Sequence, residues 1–207
     1  LKNRLQIFNT ELAKLEEYFA QYVAEVSLAE ISEEDWSTSW KAYYKPEKVG
    51  EKIVIVPSWE EYTPAPEEII VTLDPGMAFG TGSHPTTVLS LRLLEKYLKK
   101  GDTVIDVGTG SGILSISAAK LGAGKVFAYD VDTVAVRVAE QNVKENKVQH
   151  IVSTSYNDLL TGIDTKAQVI VANIIADVIL ELIPQAKECL VEGGYLIISG
   201  IILDRWP

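Results

Sequence analysis

Over residues 3–21 the apolar positions Leu5, Phe8, Leu12, Leu15 and Phe19 recur at spacings of three and four, a stripe that predicts an amphipathic helix. Tyr22, Ala24, Val26 and Leu28 then alternate with Val23, Glu25 and Ser27, a period of two that predicts a strand with one buried side. One helix and one strand bury too little to form a core. Residues 1 to about 32 therefore read as the tail of a small α/β domain whose remainder lies before Leu1. From Ser32 to Pro66 the chain holds Pro46, Pro57, Pro64 and Pro66, acidic pairs and a single apolar run at 53–56, the composition of a linker. The expected division is a segment 1–60, tail plus linker, and a domain 61–207. In that second segment runs of strand type at 103–107, 125–129, 151–154, 168–172 and 195–199 are mostly separated by helical patterns at 85–99, 113–121, 133–146 and 177–191. Strands alternating with helices predict an α/β fold, a doubly wound parallel sheet with right-handed crossovers.

Composition narrows the function classes. Of 207 residues 47% are hydrophobic and 23% charged, which excludes a disordered chain, a collagen and a disulfide scaffold. The net charge of -10 repels a phosphate backbone, so direct nucleic-acid binding is disfavoured and a basic protein partner is favoured. Cys189 is the sole cysteine and has no internal disulfide partner, and no stretch reaches the ~20 apolar residues of a membrane span. A reducing cytoplasm fits this usage. The chain starts at Leu1 and its one methionine is Met77, which reads as a piece excised from a longer protein.

The predicted strand Thr103-Val104-Ile105-Asp106-Val107 runs into Gly108-Thr109-Gly110-Ser111-Gly112, and Ile113-Leu114-Ser115-Ile116 opens a helix. Glycines there let a ligand approach the backbone and allow the strand-to-helix turn. The next strand ends in Asp130, 22 residues after Gly108, where a carboxylate can accept both hydroxyls of a ribose. A dinucleotide loop needs G-x-G-x-x-G, and its third glycine is Ile113 here. The G-x-G-x-G spacing instead fits S-adenosyl-L-methionine, which carries a ribose and no phosphate. Two readings of Asp106 stay open: a cap for amides of the loop, or a contact with the methionine amino group.

Two further stretches carry chemistry. Residues 73–87 form a long run without a regular pattern, the kind of loop that is functional inside a compact domain and could form a lid. Within it Phe79 can cover an adenine or a target side chain, and Thr86 and Thr87 lie at the start of a helix opened by Pro85. His84 reads equally as a loop histidine bonded to backbone and as a catalytic one. The apolar strand 168–172 delivers Asn173 at its carboxyl end, where ligands bind in open α/β sheets. Its side-chain oxygen can accept a bond from an amine nucleophile; the structural alternative is a helix cap.

Taken together, these stretches resemble the ribosomal-protein methyltransferases of the PrmA type. The resemblance rests on Leu73-Asp74-Pro75-Gly76-Met77-Ala78-Phe79-Gly80-Thr81-Gly82 with His84 and Thr86-Thr87, on Asp106-Val107-Gly108 through Leu114, on Asp130-Val131-Asp132, on Asn173-Ile174 with Ala176, and on Ser199-Gly200-Ile201. Upstream, Glu34-Asp35-Trp36, Trp40-Lys41 and Lys45-Pro46 fit the same family. It implies a class I S-adenosylmethionine-dependent methyltransferase fold preceded by a fragment of the substrate-recognition domain, and a final helix and strand pair beyond Pro207. It implies methyl transfer to amino groups, lysine side chains or an N-terminus, of the eleventh protein of the large ribosomal subunit. It also implies cofactor contacts at Thr87, Gly108, Asp130 and Asn173, to which the residue reading adds Gly110, Phe79 and Thr86 and assigns catalysis to Asn173. Neither a metal nor a permanent dimer is expected, so the expected state is a monomer.

An in-line displacement at a sulfonium needs a placed, neutral amine and little acid-base machinery. The rival readings are a nucleic-acid amino-methyltransferase and a module that holds the cofactor without turnover. Nucleic-acid enzymes of this kind follow the strand-end amide with prolines and a stacking aromatic. Ile174-Ile175-Ala176 offers none.

Overall fold

The computed structural model describes residues 8, 10–12, 14, 44–74, 82 and 84–201. By contacts the chain divides into two compact units, Leu1–Tyr43 and Tyr44–Pro207. In the first, the described residues Phe8, Thr10, Glu11, Leu12 and Lys14 are helical, in line with the stripe that begins at Leu5. The strand expected at Tyr22–Leu28 and the pair Trp36 and Trp40 lie outside the described residues, as does Phe79.

The second unit begins with a small sheet. β1 (Glu47–Lys48) runs antiparallel to β2 (Ile53–Pro57), and β2 runs parallel to β3 (Ile69–Leu73). Every residue of β2 is buried, because Ile53 and Ile55 face Val71, Leu91 and Leu94 in the larger of two apolar clusters. The apolar run 53–56 is therefore a core strand of the second unit, and the contact division falls at Tyr43 and Tyr44, ahead of the boundary expected near residue 60. The hairpin turn at 51–53 is held by Glu95, whose carboxylate accepts the backbone N–H groups of Glu51, Lys52 and Ile53 at 2.7–2.9 Å.

The second sheet is fully parallel, in the order β6-β5-β4-β7-β8. Its strands are β4 (Thr103–Val107), β5 (Lys125–Asp130), β6 (Val152–Tyr156), β7 (Ala167–Asn173) and β8 (Leu190–Ser199). Among the described residues four helices accompany it: α1 (Pro85–Tyr97), α2 (Ile113–Lys120), α3 (Thr133–Glu145) and α4 (Ala176–Cys189). Residues of α1, α2 and α3 pack with Val104, Val169 and Val171 on one face, and Leu182, Ala186 and Cys189 of α4 pack with Ile105, Ile170 and Ala172 on the other. The strand order reverses between β4 and β7, and it is at such a reversal, beyond the carboxyl ends of the strands, that open sheets leave a crevice for ligands. The helices end within two residues of the expected limits. β8 is longer than expected at 195–199 because Leu190 pairs with Ala167 and Tyr195 with Val169, a bulge that absorbs Gly193 and Gly194. Among the described residues no helix is long and apolar enough to cross a membrane.

Candidate active site

At that reversal point lies a cavity of about 640 Å³, within the usual range for a small-molecule site. Its walls come from the ends of three strands and the loop after β4: Gly108, Thr109 and Gly110, then Asp130 and Asp132, then Asn157 and Asp158, then Asn173, Ile174 and Ile175. Thr87, from the first turn of α1, and Val178 and Glu181, from α4, also line it, as do apolar residues such as Ile113 and Leu114 at the start of α2.

The loop after β4 owes its shape to one buried acid. Asp106 is fully buried on the α2 face of β4, and its Oδ2 accepts from the Thr109 hydroxyl at 2.7 Å, the Ser115 hydroxyl at 2.7 Å and the Ser115 backbone N–H at 3.1 Å. These bonds tie both ends of the glycine loop to the strand, so of the two readings of Asp106 the structure shows the cap. Its Oδ1 is buried and has no partner among the described residues. Burial pushes the Asp106 carboxyl up to about 6, against the bonds from Ser115 and Thr109 that favour the ionised form, with the charge of Asp130 raising it further.

Gly108 shows why the loop is built from glycine. Its φ is +72°, and a Cβ there would lie 2.4 Å from Cγ2 of Ile174, closer than any real contact. That space is filled by the Ile174 side chain, so only glycine lets the loop pack against the residue that follows β7. Gly110 donates its N–H to Oδ2 of Asp130 at 2.9 Å, and Oδ1 of Asp130 accepts the Asp132 N–H at 2.9 Å. Each oxygen keeps a further lone pair, so the carboxylate is oriented and can still receive ligand hydroxyls. Asp132 in turn caps α3 by accepting the Val134 N–H at 2.8 Å.

On the opposite wall Asn173 ends β7 and donates its side-chain N–H to Oγ1 of Thr87 at 3.1 Å. Thr87 is 1% exposed, so this bond joins the end of a central strand to the start of α1. Oγ of Ser199, at the end of β8, donates to the Thr86 carbonyl at 3.0 Å and fixes the same helix start. His84 is the N-cap of α1: Nδ1 accepts the Thr86 N–H at 3.3 Å and lies 2.7 Å from its hydroxyl.

Of the residues expected at the site, Thr87, Gly108, Gly110, Asp130 and Asn173 surround this same cavity. Thr86 has its hydroxyl on His84 and is not part of the wall. Asn157 and Asp158 were not singled out from sequence. The rule that points to Asp130 and Asn173, a polar residue at the carboxyl end of a parallel strand, also selects this pair after β6. Among the described residues no group of three or more His, Cys, Asp or Glu side chains is placed to hold a metal.

Comparison with known proteins agrees with this geometry. Residues 3–207 match the family profile described as Ribosomal protein L11 methyltransferase (PrmA). Proteins named Ribosomal protein L11 methyltransferase from Oceanobacillus iheyensis and Bacillus subtilis are 52% and 53% identical over 204 and 201 residues, 98% and 97% of this chain. The chain spans 62% of the length of either relative. A crystal structure of ribosomal protein L11 methylase from Lactobacillus delbrueckii subsp. bulgaricus superposes with a TM-score of 0.69 at 42% identity, over 76% of this chain and 81% of that one. The fold is that of the class I methyltransferases, and the chain belongs to the PrmA family of ribosomal protein L11 methyltransferases.

Proposed function

We propose that this protein transfers methyl groups from S-adenosylmethionine to amino groups of ribosomal protein L11, lysine side chains among them. The observation that carries the reading is the convergence of the glycine loop, Asp130 and the Asn173–Thr87 pair on one cavity at the strand-order reversal. At Gly108 and Gly110 the loop lines the cavity without side chains, which suits a cofactor that lies against backbone, and polar groups stand around it at four strand ends. Gly108 and Gly110 would hold the cofactor's amino-acid part and Asp130 its ribose, while Asn157 and Asp158, the next polar residues along the wall, would border its base. When bound, the cofactor supplies a sulfonium methyl whose S–C bond breaks as the N–C bond forms.

The chain's own part is placement. With its N–H on Thr87, Asn173 presents its carbonyl oxygen to an incoming amine and aims the nitrogen lone pair. A lysine must arrive neutral, and desolvation between Ile174, Ile175 and Val178 lowers its pKa in that direction. The same apolar rim suits the aliphatic stem of lysine. The surplus of acidic residues, 29 against 19 basic, favours a basic protein target. The unit Leu1–Tyr43 would carry the end of the domain that docks this target, and the unit Tyr44–Pro207, to which the 53–57 strand belongs, the catalytic chemistry.

The test is calorimetric titration with S-adenosylhomocysteine beside NAD, on the wild type and on Asp130→Ala, followed by methyl transfer to purified L11 by the intact protein. Binding of the first ligand alone, lost in the variant, supports the cofactor site; NAD binding or no binding refutes it. Methylated L11 lysines support the target, and absence of product refutes it.

A further inference from the structure

Among the described residues β3 is an edge strand. β2 pairs with one side of it, and the other side is met by side chains. Nζ of Lys120 donates to the Ile70 carbonyl at 2.5 Å. The Asn146 carboxamide accepts the Thr72 N–H at 2.9 Å and returns a bond to the Thr72 carbonyl at 2.6 Å. Asn142 does the same at Asp74, with 3.1 Å for both bonds. The match has a geometric origin: four residues of helix advance about 6 Å and two residues of strand about 6.6 Å. Asparagines at i and i+4, Asn142 in the last turns of α3 and Asn146 at its C-cap, therefore meet alternate residues of a strand that runs the other way.

The two asparagines differ in one bond. The second N–H of Asn146 returns to its own helix, to the Asn142 carbonyl at 2.8 Å, whereas that of Asn142 donates to the Ser111 carbonyl at 2.8 Å. Ser111 is fully buried and sits between Gly110 and Gly112. Asn142, 3% exposed, thus engages its oxygen and both N–H groups, and holds two segments that no strand pairing joins. An aspartate would keep the acceptor for Asp74 and lose both donors; an alanine would remove the acceptor and both donors, and with them every bond that links the loop to the end of β3 through this side chain.

We propose that Asn142 is a positioning residue of the cofactor site, setting the glycine loop against the end of β3, so that cofactor affinity depends on it. Asn146, with equivalent bonds to the strand edge and none to the loop, contributes stability alone. This rests on the assignment of the loop to S-adenosylmethionine made above.

The test is titration with S-adenosylhomocysteine at pH 8, beside urea unfolding, of the wild type, Asn142→Ala, Asn142→Asp and Asn146→Ala. Both alanine variants are expected to unfold at lower urea. Asn142→Ala and Asn142→Asp should bind about tenfold more weakly, and Asn146→Ala within about twofold of the wild type. If Asn142→Ala does not fold, Asn142→Asp decides the matter. Wild-type affinity in either Asn142 variant, or equal weakening in Asn146→Ala, overturns the proposal and leaves the cofactor reading standing. A wild type that does not bind overturns the cofactor reading and this proposal with it.

Discussion

The two walls of the cavity are held by different physics. The wall of β4, its loop and α2 is organised by buried polar bonds: Asp106, Ser111 and Ser115 are fully buried, and Asp106 alone gathers three donors. The wall of β7 and α4 ends in apolar side chains that face outward, with Ile175 67% exposed. Side chains already committed to internal bonds cannot shift to suit a ligand, while exposed ones remain available for contact. The first wall therefore suits a ligand of fixed shape, and the second a target that comes and goes.

The sharpest way to break this contrast is at Gly108, where the two walls touch. Gly108→Ala places a methyl group against Ile174 at 2.4 Å and on a backbone with φ +72°. We expect at least about 100-fold weaker S-adenosylhomocysteine binding and a loss of roughly 1–3 kcal/mol of stability. Adding Ile174→Ala should restore the part due to the clash and leave the backbone strain. Titration and urea unfolding of the single and double variants measure both parts; no recovery in the double variant would mean that backbone strain accounts for the whole effect.

Asn173→Ala tests the other wall. The prediction is a fall in kcat on the order of 10²-fold for the intact protein with L11, and cofactor affinity within about threefold. A parallel fall in affinity would show that Asn173 serves the cofactor more than the nucleophile, which would blur the division between the walls.

This division also explains what could be seen in advance. The parallel sheet was legible because strands such as Val104–Val107 and Val169–Ala172 are buried on both faces and read as apolar runs, the second unbroken and the first interrupted only by Asp106. Asp130 and Asn173 were legible because each is a polar residue closing such a run. The small sheet was not, since Pro57, Pro64 and Pro66 give its surroundings the look of a linker and its outer edge is satisfied by side chains on remote helices. For the same reason Asn142 and Asn146 pass as ordinary helix residues: their partners lie 68 and 74 positions away. Thr86 looked equivalent to Thr87, but on a helix successive residues point about 100° apart, and it is Thr87 that reaches Asn173.

The buried wall has a pH signature. The carboxyl of Asp106 rises from an ordinary value near 4 to about 6 in the folded protein, a difference of about 3 kcal/mol. Because the folded state holds this proton more tightly, the contribution is fully present below pH 4 and is lost as pH rises through about 6. Asp106→Asn keeps an oxygen for the three donors and has no such titration. The stability difference between wild type and variant should therefore shift by up to about 3 kcal/mol in the variant's favour between pH 4 and 7, measured by urea unfolding at each pH. A flat difference would mean that Asp106 titrates alike in both states.

The smallest effect is expected at the exposed rim, and there stability and function should part. Ile175 is the N-cap of α4 and makes no side-chain cap bond, so a serine in its place can accept an N–H from the first turn, adding about 0.5–1 kcal/mol. It sacrifices little burial, since Ile175 is mostly exposed. If the rim receives the stem of a target lysine, Ile175→Ser should raise KM for L11 by about threefold with kcat and cofactor affinity kept, in a protein that unfolds at equal or higher urea. An unchanged KM would remove Ile175 from the target contact, and a fall in stability would mean that the rim is packed against other parts of the protein. Only the combination of a steadier fold and a weaker target contact fits a wall built from side chains left free for a partner.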